Sequence, residues 1–476
     1  MTLPCLPHHL AALFMDRFRA GKPPVLEIIS LLSQMALGPD SVLARQAAAS
    51  LYGQIILPLC DDFSDQGVET ANQVLVAATQ VFCRTPKGKE IHHLLMDLGL
   101  AEPEALLARH RRLRQPRPLA EADRHAVKKV FILSRVSLGA DIAITSVIIN
   151  RLKKALPQAR IFLVGPPHLG LLFYNNDLQH LDFPFDREGS LAQKLAAWPR
   201  LYRLIATERG DLTPPQVLLF DPDTRLSQLG LLPLAADSSS HYLCSRLDRA
   251  PHLGLSEITN QWLDQIVPDG AAATPHFSIN PAQLARCRTF AGHHPATTHR
   301  IVVNFGVGND DNKRLADPFE EELLAALLAQ ADTLVILDSG RGDREEEMAK
   351  RLMAKMAKRG YNTAELAEGD LVDVAGSWPH GLLRFTGKID AMAGLIICCD
   401  LYIGYDSCGQ HVATATDTPA IICFAGAANP RFLGRWHPRP RQGKTTTIII
   451  DPKPTDPHQR AELIETIVRA ARAHRP

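Results

Sequence analysis

From about residue 127 onward, short apolar runs alternate with polar loops and amphipathic helices, and near residue 300 the alternation begins again. Such runs are strands buried on both faces, the pattern of a parallel sheet covered by helices. In the first series Val127–Ser134, Arg160–Val164 and Gln216–Phe220 are the strands, with a helix over Ile142–Leu156. In the second, Arg300–Phe305, Thr333–Asp338, Leu401–Gly404 and Ala420–Phe424 are strands. Helices there cover Pro318–Ala331 and Glu345–Arg359, and another includes His411–Ala415. Two doubly wound units in tandem place a cleft between domains, and ligands of such sheets bind beyond the carboxyl ends of strands.

Residues 1 to about 115 read differently. Leu10, Leu13, Phe14 and Phe18 recur at helical spacing, and later stretches repeat the stripe between Pro-Asp, Asp-Asp and Pro-Lys-Gly breaks. The expected fold class is therefore α/β, with two Rossmann-like domains (119–285 and 286–476) preceded by a small all-α domain (1–118). Arg109-His-Arg-Arg-Leu-Arg-Gln-Pro-Arg-Pro is expected to be a solvated, charged linker, with anionic lipid headgroups as its other possible partner. The final helix, Gln459–Ala473, is expected to cross back to the first domain.

Fifty-two basic against 51 acidic residues argue against binding nucleic acid through bulk charge. Nine scattered cysteines form no C-x-x-C and no zinc spacing, consistent with free thiols in a reducing cytoplasm. No signal-peptide pattern opens the chain, and no window approaches the ~18 apolar residues of a membrane span. A cytoplasmic location is expected, with peripheral membrane contact open. Gln442-Gly-Lys-Thr-Thr resembles the end of a P-loop, but Pro438 stands where its first glycine belongs and a strand follows.

The loops after the strands carry the candidate chemistry. Asp141 opens a helix after Ser134-Arg-Val-Ser-Leu-Gly-Ala, and is either a helix cap or a general base for an acceptor hydroxyl. Asp221-Pro-Asp223-Thr-Arg225 is a turn offering Arg225 to an acceptor, or else a carboxylate pair for a metal. Asn304-Phe-Gly-Val-Gly-Asn-Asp-Asp-Asn-Lys313 places glycines and a lysine where a phosphate could lie. Asp338 and the acidic run containing Glu345 follow the next strand, where ribose hydroxyls are often bound, although acidic residues also favour a helix start. Tyr405-Asp406-Ser407-Cys408-Gly409-Gln410-His411 joins a strand to a small-residue helix, and freed amides at such a start make an anion site.

Taken together, VKKVFILSRVSLGADIAITSVIINRLKKALPQARIFLVG, QVLLFDPDTRLSQLGLLPL, NFGVGNDDNKR and FTGKIDAMAGLIICCDLYIGYDSCGQHVATATDTPAIICFAG resemble the bacterial heptosyltransferases, glycosyltransferase family 9, over about residues 127–440. That resemblance implies the GT-B architecture and a metal-independent, inverting transfer from a nucleotide-diphosphate sugar, ADP-heptose first among candidates, to a glycan or protein hydroxyl. It implies Asp141 as base, Lys313, Glu345, Asp406, Ser407, Cys408, Gly409 and His411 as donor contacts, and no cofactor; Ser137 and Arg225 are the acceptor candidates. Two departures stand out. Ala140 separates Gly139 from Asp141, and Cys408 separates Ser407 from Gly409. A catalytically inactive nucleotide-sugar-binding or scaffold protein, with the helical domain as its interaction module, is the other reading.

Overall fold

The structure, a computed structural model, describes residues 6–475 except 176, 248–249, 269, 309, 373–379, 427–428 and 441. Twelve strands among the described residues form two all-parallel sheets. The first contains β1 (Lys129–Leu133), β2 (Arg160–Gly165), β3 (Leu178–Asp182), β4 (Val217–Asp221) and β5 (Ser240–Tyr242), in the order β3-β2-β1-β4-β5. The second contains β6 (His299–Asn304), β7 (Thr333–Asp338), β8 (Thr363–Ala367), β9 (Gly381–Thr386), β10 (Leu401–Tyr405), β11 (Ala420–Ala425) and β12 (Thr445–Ile450), ordered β12-β11-β10-β6-β7-β9-β8. These are two Rossmann-like sheets in a GT-B arrangement, preceded by helices. In each, the direction of winding reverses beside the first strand, between β1 and β4 and between β6 and β10. A ligand crevice belongs at such a switch point.

The apolar runs explain the layering. β4 and β10 are buried at every position, and β1 at all but its first. One face of the second sheet packs on its own helices, the last of them Pro457–Arg472. Its other face joins one face of the first sheet through Phe277, Ile279, Cys287 and Phe290 in a single apolar cluster. The remaining face of the first sheet, with Phe131, Phe162 and the helix Leu191–Arg209, shares its cluster with the N-terminal helices, among them Phe14, Leu32, Val74 and Phe82. The N-terminal region is thus fused to the first sheet by a common core.

Two expectations are corrected. Arg109–Leu113 is no linker but the end of the helix Pro103–Leu113. Arg109 is 3% exposed and donates to Asp237 at 2.7 Å and to the Gly230 carbonyl at 3.1 Å. Arg111 pairs with Glu69 and Glu104, and Arg114 with Asp65, so these cations are engaged within the protein. The final helix also stays with the second sheet: it packs on Phe319–Leu328, and Arg460 pairs with Glu322 at 2.6 Å. Arg109 and Arg114 are drawn inside by acidic partners far away in sequence, while Arg111 and Arg112 form their pairs at the surface. Among the described residues, no helix is long and apolar enough to cross a membrane, and all the cysteines are free thiols.

Candidate active site

At the β6/β10 switch point the two loops singled out by the sequence meet. Lys313 ends a short turn after β6, and its ammonium lies 2.6 Å from Asp406, just beyond β10. Asp406 also accepts from the Gln410 amide, and the Lys313 ammonium stands 5.0 Å above the Phe432 ring. Asp406 is therefore a tether that aims Lys313. The acidic neighbours are accounted for, since Asp311 pairs with Arg344 at 2.8 Å and Asp310 accepts from the Asn312 amide.

Ser407 precedes the helix Cys408–Ala415 in extended conformation, with no side chain capping that helix. The first N–H groups of an uncapped helix carry partial positive charge and lack intrahelical acceptors. Beside them the Ser407 and Tyr402 hydroxyls are buried without a standard hydrogen bond. Gly409 has a packing reason as well, because a Cβ there would strike the Tyr402 phenol, as one at Gly404 would at 2.5 Å. His411 lies between Trp436, at 5.5 Å between ring centroids, and Gly139 of the first sheet. A Cβ on Gly139 would come within 2.5 Å of the imidazole and 3.5 Å of Cys408 Cα. Burial holds the His411 pKa down to about 4, which keeps the ring neutral.

Glu345 lines a small hollow beyond β6 and β7 together with Asp338. One Glu345 oxygen accepts from the Arg341 amide at 2.6 Å, and Gly306 and Gly340 let their backbones pass against its carboxylate. Asp338 accepts from Asn304 at 2.5 Å, and burial lifts its pKa to about 6.

Across the interface, Asp141 is fully buried. It does not cap its own helix: Oδ1 accepts from the Arg135 amide and the Thr145 hydroxyl, both at 2.7 Å, and Oδ2 from the Ser134 hydroxyl at 2.8 Å. Burial raises its pKa to about 6 against those three donors. The carboxylate thus holds the loop after β1, including Val136 at φ 58°, a strained value for a β-branched residue. Asp141–Thr145 is a π-helical turn, the usual way a helix absorbs one extra residue, and Ala140 immediately precedes it. Ser137, half-buried, receives the Asp141 amide on its carbonyl at 2.8 Å.

After β4 the two aspartates are already engaged. Asp221 accepts from the Thr224 amide and Ser227 hydroxyl, and Asp223 is gripped by Arg246, Tyr242 and Ser245. Arg246 meets Asn72 of the N-terminal helices at 3.3 Å, and Asn72 meets His110 at 3.0 Å. Asp223 is thereby the hub of the seam between these regions. Arg225, by contrast, is half-buried with no hydrogen bond or ion pair from its guanidinium to a described residue.

The sequence profile of Glycosyltransferase family 9 (heptosyltransferase) matches residues 269–455, which contain β6 to β12 and the Lys313–Asp406 pair. Those residues are a glycosyltransferase family 9 domain. The crystal structure of a family 9 glycosyl transferase from Veillonella parvula DSM 2008 is 17% identical, with a TM-score of 0.50, and covers 73% of this chain and 96% of that one. Escherichia coli ADP-heptose lps heptosyltransferase II and E. coli heptosyltransferase WaaC with ADP are each 14% identical with TM-scores of 0.47. They cover 72% of this chain and 99% and 100% of their own lengths. A comparison with curated proteins gives no match. The family 9 domain makes the chain a glycosyltransferase that uses a nucleotide-sugar donor. Sequence reasoning overlooked the loop at Asp61, which comes from the N-terminal helices. Its carbonyl accepts from Asn429 at 2.8 Å, and the nearby Phe63 ring lies 4.7 Å from the Arg435 guanidinium. No motif marks that loop; only the fold brings it to the family 9 domain.

Proposed function

We propose that this glycosyltransferase moves a heptose from a nucleotide-diphosphate donor, ADP-heptose first among candidates, to a glycan or protein hydroxyl with inversion and without a metal. The observation that carries the reading is Lys313, aimed by Asp406 beside the uncapped start of Cys408–Ala415. An ammonium beside free helix amides suits a diphosphate, whose charge grows as the sugar leaves. Glu345 and Asp338, over the adjoining hollow, suit the ribose hydroxyls. WaaC has been solved with ADP, and the same donor class is proposed here.

In the reaction Asp141 takes the proton from the acceptor hydroxyl as that oxygen bonds to the anomeric carbon. The bond from that carbon to the diphosphate oxygen breaks, and its electron pair leaves with the nucleoside diphosphate. A pKa near 6 suits a base at neutral pH. This role requires the loop after β1 to release one of the three donors when the cleft fills, since catalytic contacts often align only in the complex. A second reading, a binding protein without turnover, is favoured by one observation, the complete enclosure of Asp141.

Calorimetric titration with ADP, UDP and GDP tests the donor site. ADP is expected to bind, and Lys313→Ala to weaken it about tenfold or more; equal affinity in wild type and variant would sink the site. Release of ADP from ADP-heptose, unchanged by EDTA, is expected of the enzyme. Tight ADP binding with no turnover on any acceptor would favour the binding protein.

A further inference from the structure

A second set of polar groups without partners lies beyond the carboxyl end of the first sheet. Lys194, in the first turns of Leu191–Arg209, is only 9% exposed, and its ammonium makes no hydrogen bond or ion pair with a described residue. It rests 4.0 Å from the centre of the Tyr52 ring, which belongs to the N-terminal helices. The Tyr52 hydroxyl is itself buried without a partner. Arg225, on the turn after β4, is the third group of the set: Gln228 of the same turn donates to the Lys194 carbonyl at 3.5 Å, and burial first, then the Arg225 charge, holds the Lys194 pKa down to about 8. Glu188 and Asp186 act on Lys194 from a distance without pairing with it. Tyr52 also stands in a π-helical stretch, Ser50–Ile56, a form frequent at functional sites.

Lys194 and Arg225 are thus two cations on neighbouring elements with no carboxylate at ion-pair distance from either among the described residues, and an anion bound between them would be answered by both. The engaged arginines of the same region make the contrast, for Arg109 and Arg246 each have an aspartate. The pocket also lies toward the cleft: the Asp61 carboxylate is within electrostatic reach of both Arg225 and Lys313. We infer that Tyr52, Lys194 and Arg225 form an anion pocket, shared by the N-terminal helices and the first sheet, that takes a phosphate or carboxylate carried by the acceptor. Its assignment to the acceptor rests on the transferase reading above. The helical region would then choose acceptors by supplying one wall of their binding site. Two cations and a hydroxyl suit a phosphate or carboxylate and leave a neutral sugar without a counterpart.

The test is titration of the full chain, with ADP held in excess to occupy the donor site, against glucose 6-phosphate, inorganic phosphate, glucuronate and glucose. At least one anion is expected to bind and glucose is not. Lys194→Met and Arg225→Gln should each weaken anion binding about tenfold, and Tyr52→Phe a few-fold. Lys194→Arg should retain it, and ADP affinity should not move in any variant. Glucose 6-phosphate and inorganic phosphate binding alike would mark a bare phosphate site, whereas tighter glucose 6-phosphate would mark a sugar phosphate; preference for glucuronate would mark a carboxylate. Each of the three supports the pocket. No anion bound by wild type, or affinities equal across the variants, would overturn it. Melting curves check folding, and if Lys194→Met fails to fold, the half-buried Arg225→Gln carries the comparison. Should ADP not bind, the donor reading alone fails, and the same titrations without ADP decide the pocket.

Discussion

His411 packs on Gly139, two residues before Asp141, and the two titrating groups respond to pH in opposite directions. Burial holds the His411 pKa near 4, below the 6.5 of an exposed imidazole, so the unfolded chain binds more protons between those values. Its contribution is complete above pH 6.5 and is lost as pH falls toward 4. In denaturant titrations wild type should therefore lose about 3 kcal/mol more than His411→Gln over that range. Asp141 has its pKa raised to about 6, so the folded state binds the extra proton between 3.8 and 6. Its contribution is full below 3.8 and falls as pH rises to 6; Asp141→Asn should lack that fall when measured in the same way. If Asp141 is the base, Asp141→Asn should also lower kcat by about 10²–10⁴-fold, with ADP affinity unchanged. A kcat within twofold of wild type would remove it from the mechanism.

Among elements, the helix Cys408–Ala415 is the most constrained. Gly409 is pressed on the Tyr402 phenol, so Gly409→Ala should cost about 1–3 kcal/mol in urea unfolding. Tyr402→Phe removes a hydroxyl that has no standard partner, and should be neutral or slightly stabilising. An equal loss in both variants would show that the phenol and not the glycine sets the packing. The strands around this helix were legible because they are continuous apolar runs: Thr333–Asp338 falls where the sequence puts it. Leu178–Asp182 was not, because as an edge strand it buries only Leu178 completely. Ser240–Tyr242 is too short for any period, and Gly381–Thr386 hides a buried Arg384 among its apolar residues. The loops that carry Lys313 and Asp406 could be read as a glycine turn and a strand-turn-helix. That Lys313 and Asp406 bond to each other across 93 residues could not, since pairing at that separation is a product of strand order. Ala140, visible in the sequence as an extra residue, has its counterpart in the π-helical turn at Asp141–Thr145.

At the scale of the whole molecule, the contacts that join the parts include Gly139 on His411, Asn429 on Asp61, and Phe63 on Arg435. Gly139→Ala, with no room for its methyl, should separate the sheets and weaken ADP binding, read by calorimetry together with small-angle scattering. An unchanged scattering profile with unchanged affinity would show that the interface yields freely.

The core shared by the N-terminal helices and the helix Leu191–Arg209 has a consequence for synthesis. At about 5–20 residues per second, the apolar face of Lys89–Asp97, which packs on that helix, leaves the ribosome about 5–25 s before it does. For that interval the nascent chain carries a sticky surface with nothing to cover it. Its yield in the cell should depend on holding chaperones and on translation speed between these two segments more than on the stability of the finished protein.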